Sequence, residues 1–155
     1  MSRPALPLPT REPWAGLAGR IPLAESIEGL ERFDLLAHGT AAAEVALHLA
    51  LEQTARVHAL VIAAASPPAD RSLAERVGSL SVPVLALFGT RDAQVPPATG
   101  RDWRALLPGC HIVFVYDAAS DMARDRPEAF AEVVLDFLAE PGAFLVNRAS
   151  GVRHP

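Results

Sequence analysis

Four compact runs of apolar residues divide the chain between positions 33 and 140. The segments between them show helical periodicity, and no run is joined to the next by a hairpin turn. Apolar strands separated by helices are typical of a parallel sheet that is covered by helices. The predicted strands are FDLLAH (33–38), VHALVIAAA (57–65), VPVLALFG (82–89) and HIVFVYD (111–117). The pattern therefore predicts an α/β fold with a mostly parallel sheet of about four strands.

Apolar residues at helical spacing fill the intervals between these strands. A proline at the first helical turn, Pro127, strengthens the last of the predicted helices. The predicted helices are TAAAEVALHLALEQ (40–53), a short, weaker helix that AERVGSL (74–80) closes, the segment 98–107 and the segment 127–139. Leu23, Ile27 and Leu30 also recur at helical spacing, which predicts a short amphipathic helix over residues 23–31.

The two ends of the chain lack this alternation. Residues 1–22 are rich in proline, which predicts an extended N-terminal arm, and residues 141–155 form a tail without a predicted element. Residues 23–140 are expected to form one domain, in keeping with a length of 155 residues. The first residues contain no apolar h-region, so no secretory signal is predicted.

Composition narrows the class of protein. Half of the residues are hydrophobic and 21% are charged, as in ordinary globular domains. The net charge of −4 disfavours binding to nucleic acid, and the longest apolar run, 59–65, is too short to span a membrane. Cys110 is the only cysteine, so we expect a buried, unreactive thiol and a cytoplasmic location.

Polar residues follow three of the predicted strands, at the edge where open parallel sheets bind ligands. Gly39 occupies the apex of a sharp turn, and Thr40 opens the next helix, whose first amides favour an anion. Asp92 and Ser120 follow the third and fourth strands. Together with His38, these residues form the predicted ligand site. The alternative is that Gly39 only turns the chain and that the polar residues only cap or solvate loops.

The three turns, taken in order, resemble the α/β-hydrolase superfamily over residues 33–140. The nucleophile-elbow strand, the helix and the next strand of its ester- and lactone-cleaving members are similar to FDLLAHGTAAAEVALHLALEQTARVHALVIAAA. VPVLALFGTRDAQVPP resembles the strand and loop that carry the catalytic acid. VYDAASDMARDRPEAFAEVVLDFLAEP resembles the histidine loop and the final helix. The resemblance implies a partial α/β-hydrolase fold.

The catalytic residues of that family are only partly present. The G-x-S-x-G elbow corresponds to Ala37-His38-Gly39-Thr40-Ala41, so the resemblance places a glycine where the family has its serine. Asp92 stands at the acid position, whereas Ser120 stands at the histidine position. Because a serine cannot accept a proton near neutral pH as imidazole does, we expect the protein to be catalytically inactive.

The resemblance also implies that parts of the full fold are absent. Only 32 residues precede Phe33, too few for the strands that precede the elbow in the family, and SPPAD (66–70) leaves no room for a cap domain. The 33–38 strand is then expected to be an uncovered edge. We expect either a homodimer through that edge or through the open sheet face, or coverage by the N-terminal arm and the 23–31 helix.

Three functions remain open. The first is an inactive protein with a small-molecule pocket formed by His38, Gly39, Thr40, Asp92 and Ser120. The second is a hydrolase of esters or lactones that uses non-standard residues, with Ser120 as nucleophile, His38 as base and Asp92 orienting the base. The third is an interaction subunit that docks through its exposed sheet edge. The histidine spacings do not fit a metal site, and neither G-x-G-x-x-G nor a Walker motif occurs, so no metal or cofactor is predicted.

Overall fold

A parallel four-stranded sheet forms the centre of the computed structural model, which describes residues 29–144 of the chain. The strands are Phe33–His38 (β1), Val57–Ala63 (β2), Val84–Gly89 (β3) and His111–Val115 (β4). They lie side by side in chain order, and each neighbouring pair is parallel. The predicted α/β fold and its four strands are confirmed.

Five helices flank the sheet in the described part of the chain. They are Thr40–Glu52 (α1), Arg71–Val77 (α2), Thr99–Leu106 (α3), Met122–Asp125 (α4) and Pro127–Ala139 (α5). Each of the first three helices connects one strand to the next, parallel strand. Because crossovers between parallel strands are right-handed, α1, α2 and α3 lie on one face of the sheet.

Helices α4 and α5 cover the opposite face. Met122 from α4 and Phe137 from α5 belong to one buried cluster with Val61 of β2 and Leu87 of β3. None of the buried residues of α1, α2 or α3 belongs to this cluster, as their place on the other face requires. The central strands are thus buried between two helical layers, which explains their continuous apolar sequence.

Helix α3 is fixed to the sheet by a buried tryptophan. Trp103 is fully buried, and its indole Nε1 donates a hydrogen bond of 2.8 Å to the Ala65 carbonyl oxygen, just beyond β2. Gly100 lets the same helix approach closely. A Cβ atom at that position would lie 2.9 Å from the Ile112 Cγ2 atom and 3.5 Å from the Phe88 Cε2 atom.

One predicted helix extended too far along the chain. The segment AERVGSL was predicted to close a short helix, whereas the helix, α2, spans Arg71–Val77 and ends before the last residues of that segment. The Asp70 side chain marks where the helix begins, because it accepts a hydrogen bond of 2.7 Å from the Leu73 N–H in the first turn. An aspartate at the N-cap satisfies one of the free amides of the first turn.

Three predicted strands were too long. Ala64 and Asp117 have positive φ angles of 50° and 55°, so the backbone leaves the extended conformation after β2 and β4. Strand β3 begins at Val84 rather than Val82. Pro83 precedes it, and a proline cannot donate a hydrogen bond to a neighbouring strand.

The remaining predictions concern the ends of the chain. Residues 29–31 form a turn and a bend, not the end of the predicted 23–31 helix. The rest of that helix, the proline-rich arm and residues 145–155 lie outside the described residues.

The sequence did not predict helix α4. The Asp121 side chain caps its first turn by accepting a hydrogen bond from the Arg124 N–H.

Candidate functional site

The elbow between β1 and α1 has a backbone conformation that suits only glycine. Gly39 has φ 83° and ψ 160°, a region that other residues avoid because of their Cβ atom. Its N–H donates a hydrogen bond of 2.8 Å to the Ala63 carbonyl oxygen at the end of β2. A Cβ atom built on Gly39 would meet no heavy atom within 4 Å. The conformation, and not a lack of space, therefore explains the glycine.

A hydrogen bond of the Thr40 side chain connects the elbow with the segment after β2. Its Oγ1 atom accepts a hydrogen bond of 3.1 Å from the Ser66 N–H. No side chain caps the first turn of α1, and that turn contains no acidic residue. The positive end of the helix dipole at Thr40 is therefore not neutralised from within its own turn.

Asp92 is a buried carboxylate whose two oxygens have different surroundings. The residue is only 5% exposed. Its Oδ1 atom accepts hydrogen bonds from the Gln94 N–H at 2.8 Å and the Val95 N–H at 3.0 Å, which fixes the loop after β3. The Oδ2 atom is buried, and no hydrogen-bond donor reaches it in the described structure. A buried acceptor without a donor costs about 1–3 kcal/mol.

The loop after β4 lies directly against the end of β3. The Arg91 N–H donates a hydrogen bond of 2.8 Å to the Ala118 carbonyl oxygen. The Arg91 side chain forms an ion pair of 3.0 Å with Asp117. A Cβ atom on Gly89 would lie 2.2 Å from the Ala119 carbonyl oxygen. Only a glycine at position 89 allows this contact, which holds the second and third turns together.

His38 joins the first turn to the third. Its Nε2 atom lies 2.8 Å from the Ser120 carbonyl oxygen. A carbonyl only accepts hydrogen bonds, so Nε2 carries the proton in this contact. The nitrogen nearest Ser120 is therefore a donor to the main chain and is not placed as a base toward the serine hydroxyl. This geometry supports a structural role for His38.

The structure brings the three predicted turns to one edge of the sheet, and it links them through main-chain atoms. His38 contacts Ser120, and the loop of Asp92 contacts the same final loop through Arg91 and Ala118. Neither oxygen of Asp92 is hydrogen-bonded to His38 or Ser120 in the described residues. The five predicted site residues thus share a location without forming a hydrogen-bonded triad.

Two cavities lie at the opposite edge, near the amino ends of the strands. One has a volume of about 250 Å³ and is lined by residues that include Arg32 and His58. The other, of about 380 Å³, borders the segment from Leu107 to His111. The His58 Nδ1 atom lies 2.8 Å from the Asp34 Oδ1 atom. This pair is not apparent from the sequence, because its members are 24 positions apart and no motif connects them.

The lone cysteine is also at this edge. Cys110 is buried, and burial raises the pKa of its thiol to about 12. The thiol form therefore prevails near neutral pH, as expected for an unreactive cysteine.

No cluster of three or more metal-binding side chains occurs within residues 29–144. Over the same range, none of the helices has the length and apolar character that crossing a bilayer requires.

Comparison with known proteins identifies the fold. No family model and no curated protein matches the sequence. Solved structures do match: a predicted CIB-like hydrolase from Thermoplasma acidophilum is 18% identical, with a TM-score of 0.66, over 75% of this chain. An α/β hydrolase from the metagenome of Mar Chica lagoon sediments is 19% identical, with a TM-score of 0.67, over 77% of this chain. Carboxylesterase CesB from Bacillus subtilis is 16% identical, with a TM-score of 0.63, over 75% of this chain.

The matched region is only a part of those structures. It covers 56% of the Thermoplasma protein, 67% of the metagenomic enzyme and 64% of CesB. At identities below one fifth, the likeness establishes the fold alone. The chain therefore has a partial α/β-hydrolase fold, with the parallel sheet and flanking helices that its sequence predicted.

Proposed function

We propose that this protein does not hydrolyse esters or lactones and instead binds a small ligand at the carboxyl ends of its strands. Gly39 carries the proposal, because it occupies the apex of the elbow in a backbone conformation suited to glycine. A residue without a side chain cannot be a nucleophile. Ser120 cannot replace an imidazole as general base, and the Nε2 atom of His38 is occupied by the Ser120 carbonyl oxygen.

Asp92 indicates what such a ligand would offer. Its Oδ2 atom is buried without a donor among the described residues, whereas Oδ1 has two. A ligand that presents an N–H or O–H group to Oδ2 would remove the cost of that unpaired acceptor. The first amides of α1, near Thr40, would favour a second, electron-rich group of the same ligand.

Binding of imidazole tests this ligand site, with 1-methylimidazole as the matched control that lacks a neutral N–H donor. The amide resonances of Gln94 and Val95, which bond to Asp92, report on the site in a two-dimensional NMR titration near pH 8.5. We expect saturable shifts with imidazole and much weaker shifts with 1-methylimidazole. The shifts should disappear in Asp92→Asn. Equal shifts with both compounds, or none with either, would contradict the proposal.

A hydrolase with non-standard residues is the second candidate, and the buried Asp92 at the acid position is the observation that favours it. In this alternative, Ser120 would attack the carbonyl carbon, and His38 would have to release the Ser120 carbonyl oxygen to act as base. Ester turnover that is lost in both Asp92→Asn and Ser120→Ala would select this candidate over the first.

A further inference from the structure

The cavity of about 250 Å³ near Arg32 has features of a binding site that is separate from the elbow. It lies between the amino ends of β1, β2 and β3, so the whole sheet separates it from Gly39 and Asp92. Its volume is slightly below the range of about 300–1,000 Å³ that is common for drug-sized ligands. A ligand of a few heavy atoms is therefore the size that fits.

An oriented imidazole forms part of the cavity wall. The His58 Nδ1 atom lies 2.8 Å from the Asp34 Oδ1 atom, and the two side chains are 28% and 18% exposed. A carboxylate only accepts hydrogen bonds, so Nδ1 is the donor and the neutral ring keeps its lone pair on Nε2. Asp34 does not line the cavity, whereas His58 does. Asp34 thus positions the ring, and the Nε2 acceptor of this cavity-lining residue is available to a ligand.

Arg32 gives the cavity its charge. Among the described residues, Arg32 is the only charged residue that lines this cavity. No other described residue forms a hydrogen bond or an ion pair with its guanidinium. Guanidinium groups bind carboxylates through paired hydrogen bonds. The other polar side chains are Thr54, whose hydroxyl donates to the Ala50 carbonyl oxygen, and Ser81. Arg32 is therefore placed to bind an anion.

We propose that this cavity binds a short hydroxycarboxylate. The carboxylate would pair with Arg32, and the hydroxyl group would donate its proton to the Nε2 atom of His58. A simple carboxylate would leave the acceptor on His58 unpaired, and a neutral hydroxyamide would leave Arg32 without its counter-charge. Val57 and Val82, both nearly buried in the wall, would contact the short carbon chain of the ligand.

Isothermal titration with three small probes tests the proposal on the full chain near pH 8. 3-Hydroxybutyrate is the proposed type of ligand, butyrate lacks its hydroxyl group, and 3-hydroxybutyramide lacks its charge. We expect saturable binding of 3-hydroxybutyrate, and binding about tenfold weaker for each of the other two, since one hydrogen bond or ion pair is lost. Equal affinity for 3-hydroxybutyrate and butyrate would overturn the role of His58. Absence of saturable binding would overturn the proposal as a whole.

Substitutions in the cavity give a second measurement. Arg32→Gln should weaken 3-hydroxybutyrate binding about tenfold, and His58→Phe should abolish the preference for 3-hydroxybutyrate over butyrate. Asp34→Asn keeps an acceptor for the His58 Nδ1 atom and should keep the preference for 3-hydroxybutyrate over butyrate. Asp34→Val removes that acceptor and should lose the preference. Arg101→Gln, an exposed residue of α3 outside the cavity, is the control for loss of one arginine.

Circular dichroism of each variant distinguishes a lost site from a lost fold. Asp92→Asn should leave the affinity for 3-hydroxybutyrate unchanged. The test of this cavity is therefore independent of the test of the ligand site at the elbow. Folded Arg32→Gln with unchanged affinity would contradict the proposal.

Discussion

At the scale of single residues, backbone conformation decides what position 39 tolerates. Gly39 and Gly109 both have open space where a Cβ atom would be, but only Gly39 has a positive φ. Gly39→Ala should therefore lower the free energy of unfolding by about 1–3 kcal/mol. Gly109→Ala should change it by less than about 0.5 kcal/mol. Urea unfolding of the two variants measures the difference, and equal stabilities would show that the elbow conformation is not strained.

A second residue-scale prediction concerns His111 at the start of β4. Burial, and to a lesser degree the charge of Arg104, lower the pKa of its imidazole below the ordinary value of 6.5. The folded state thus resists protonation of His111. Its contribution to stability is complete above pH 6.5 and is lost as the pH falls from there toward the lowered pKa.

His111→Phe tests this dependence while it keeps a ring that can contact Phe137 and Phe144, whose centroids lie 5.9 Å and 5.3 Å from the imidazole. Between pH 8 and pH 5.5, the free energy of unfolding should fall less in the variant than in the wild-type protein. The other titrating groups are the same in both proteins. An identical fall in both would mean that His111 does not contribute.

At the scale of elements, the contact between β3 and the loop after β4 holds the candidate site together. A Cβ atom on Gly89 would lie 2.2 Å and 2.4 Å from the carbonyl oxygens of Ala119 and Ala118. These are main-chain atoms, so the whole loop would have to move. Gly89→Ala should therefore lower the free energy of unfolding by about 3 kcal/mol or more.

Gly142→Ala is the control for that substitution, because a Cβ atom there would meet no heavy atom within 4 Å. Urea unfolding gives the comparison. If Gly89→Ala were as stable as the control, the close approach of the loop to β3 would be wrong.

The sequence predicted the elements well where hydrophobic pattern decides them. Runs of apolar residues identified all four strands, and the amphipathic pattern identified α5. Element ends depend on individual contacts that the pattern does not contain. The cap formed by Asp70 sets the start of α2, and two strands end earlier than predicted because Ala64 and Asp117 have positive φ angles.

The candidate site was predictable only in its position. The rule that parallel strands end at one edge placed Gly39, Asp92 and Ser120 in the same region. Their contacts were not predictable, because the hydrogen bond from His38 runs to a carbonyl oxygen and reflects no motif. The pair of Asp34 and His58 depends on the register of β1 against β2, where Phe33 lies beside Val57 and Asp34 beside Ala59.

At the scale of the whole molecule, the predicted homodimer stays a prediction. Helices α4 and α5 cover the sheet face that the sequence left open, so β1 is the interface that we test. Leu35 and Leu36 of β1 are half-buried, whereas Phe114 on the other outer strand, β4, is 50% exposed. Sedimentation equilibrium at micromolar concentration should show a species of twice the 16.5 kDa chain mass. Phe114→Ser should leave that species unchanged if β1 forms the interface. A single 16.5 kDa species in the wild-type protein would refute the dimer.

We propose that this hydrolase fold is used without hydrolysis, and the decisive measurement is the turnover of p-nitrophenyl acetate and of a short lactone. The buried Asp92 is the residue on which any triad-like chemistry at this edge would depend. Wild-type protein and Asp92→Asn should therefore give the same rate, no higher than that of the heat-denatured protein. A wild-type rate at least about a hundredfold above that of Asp92→Asn, as expected when a member of a working triad is lost, would show that the protein is a hydrolase.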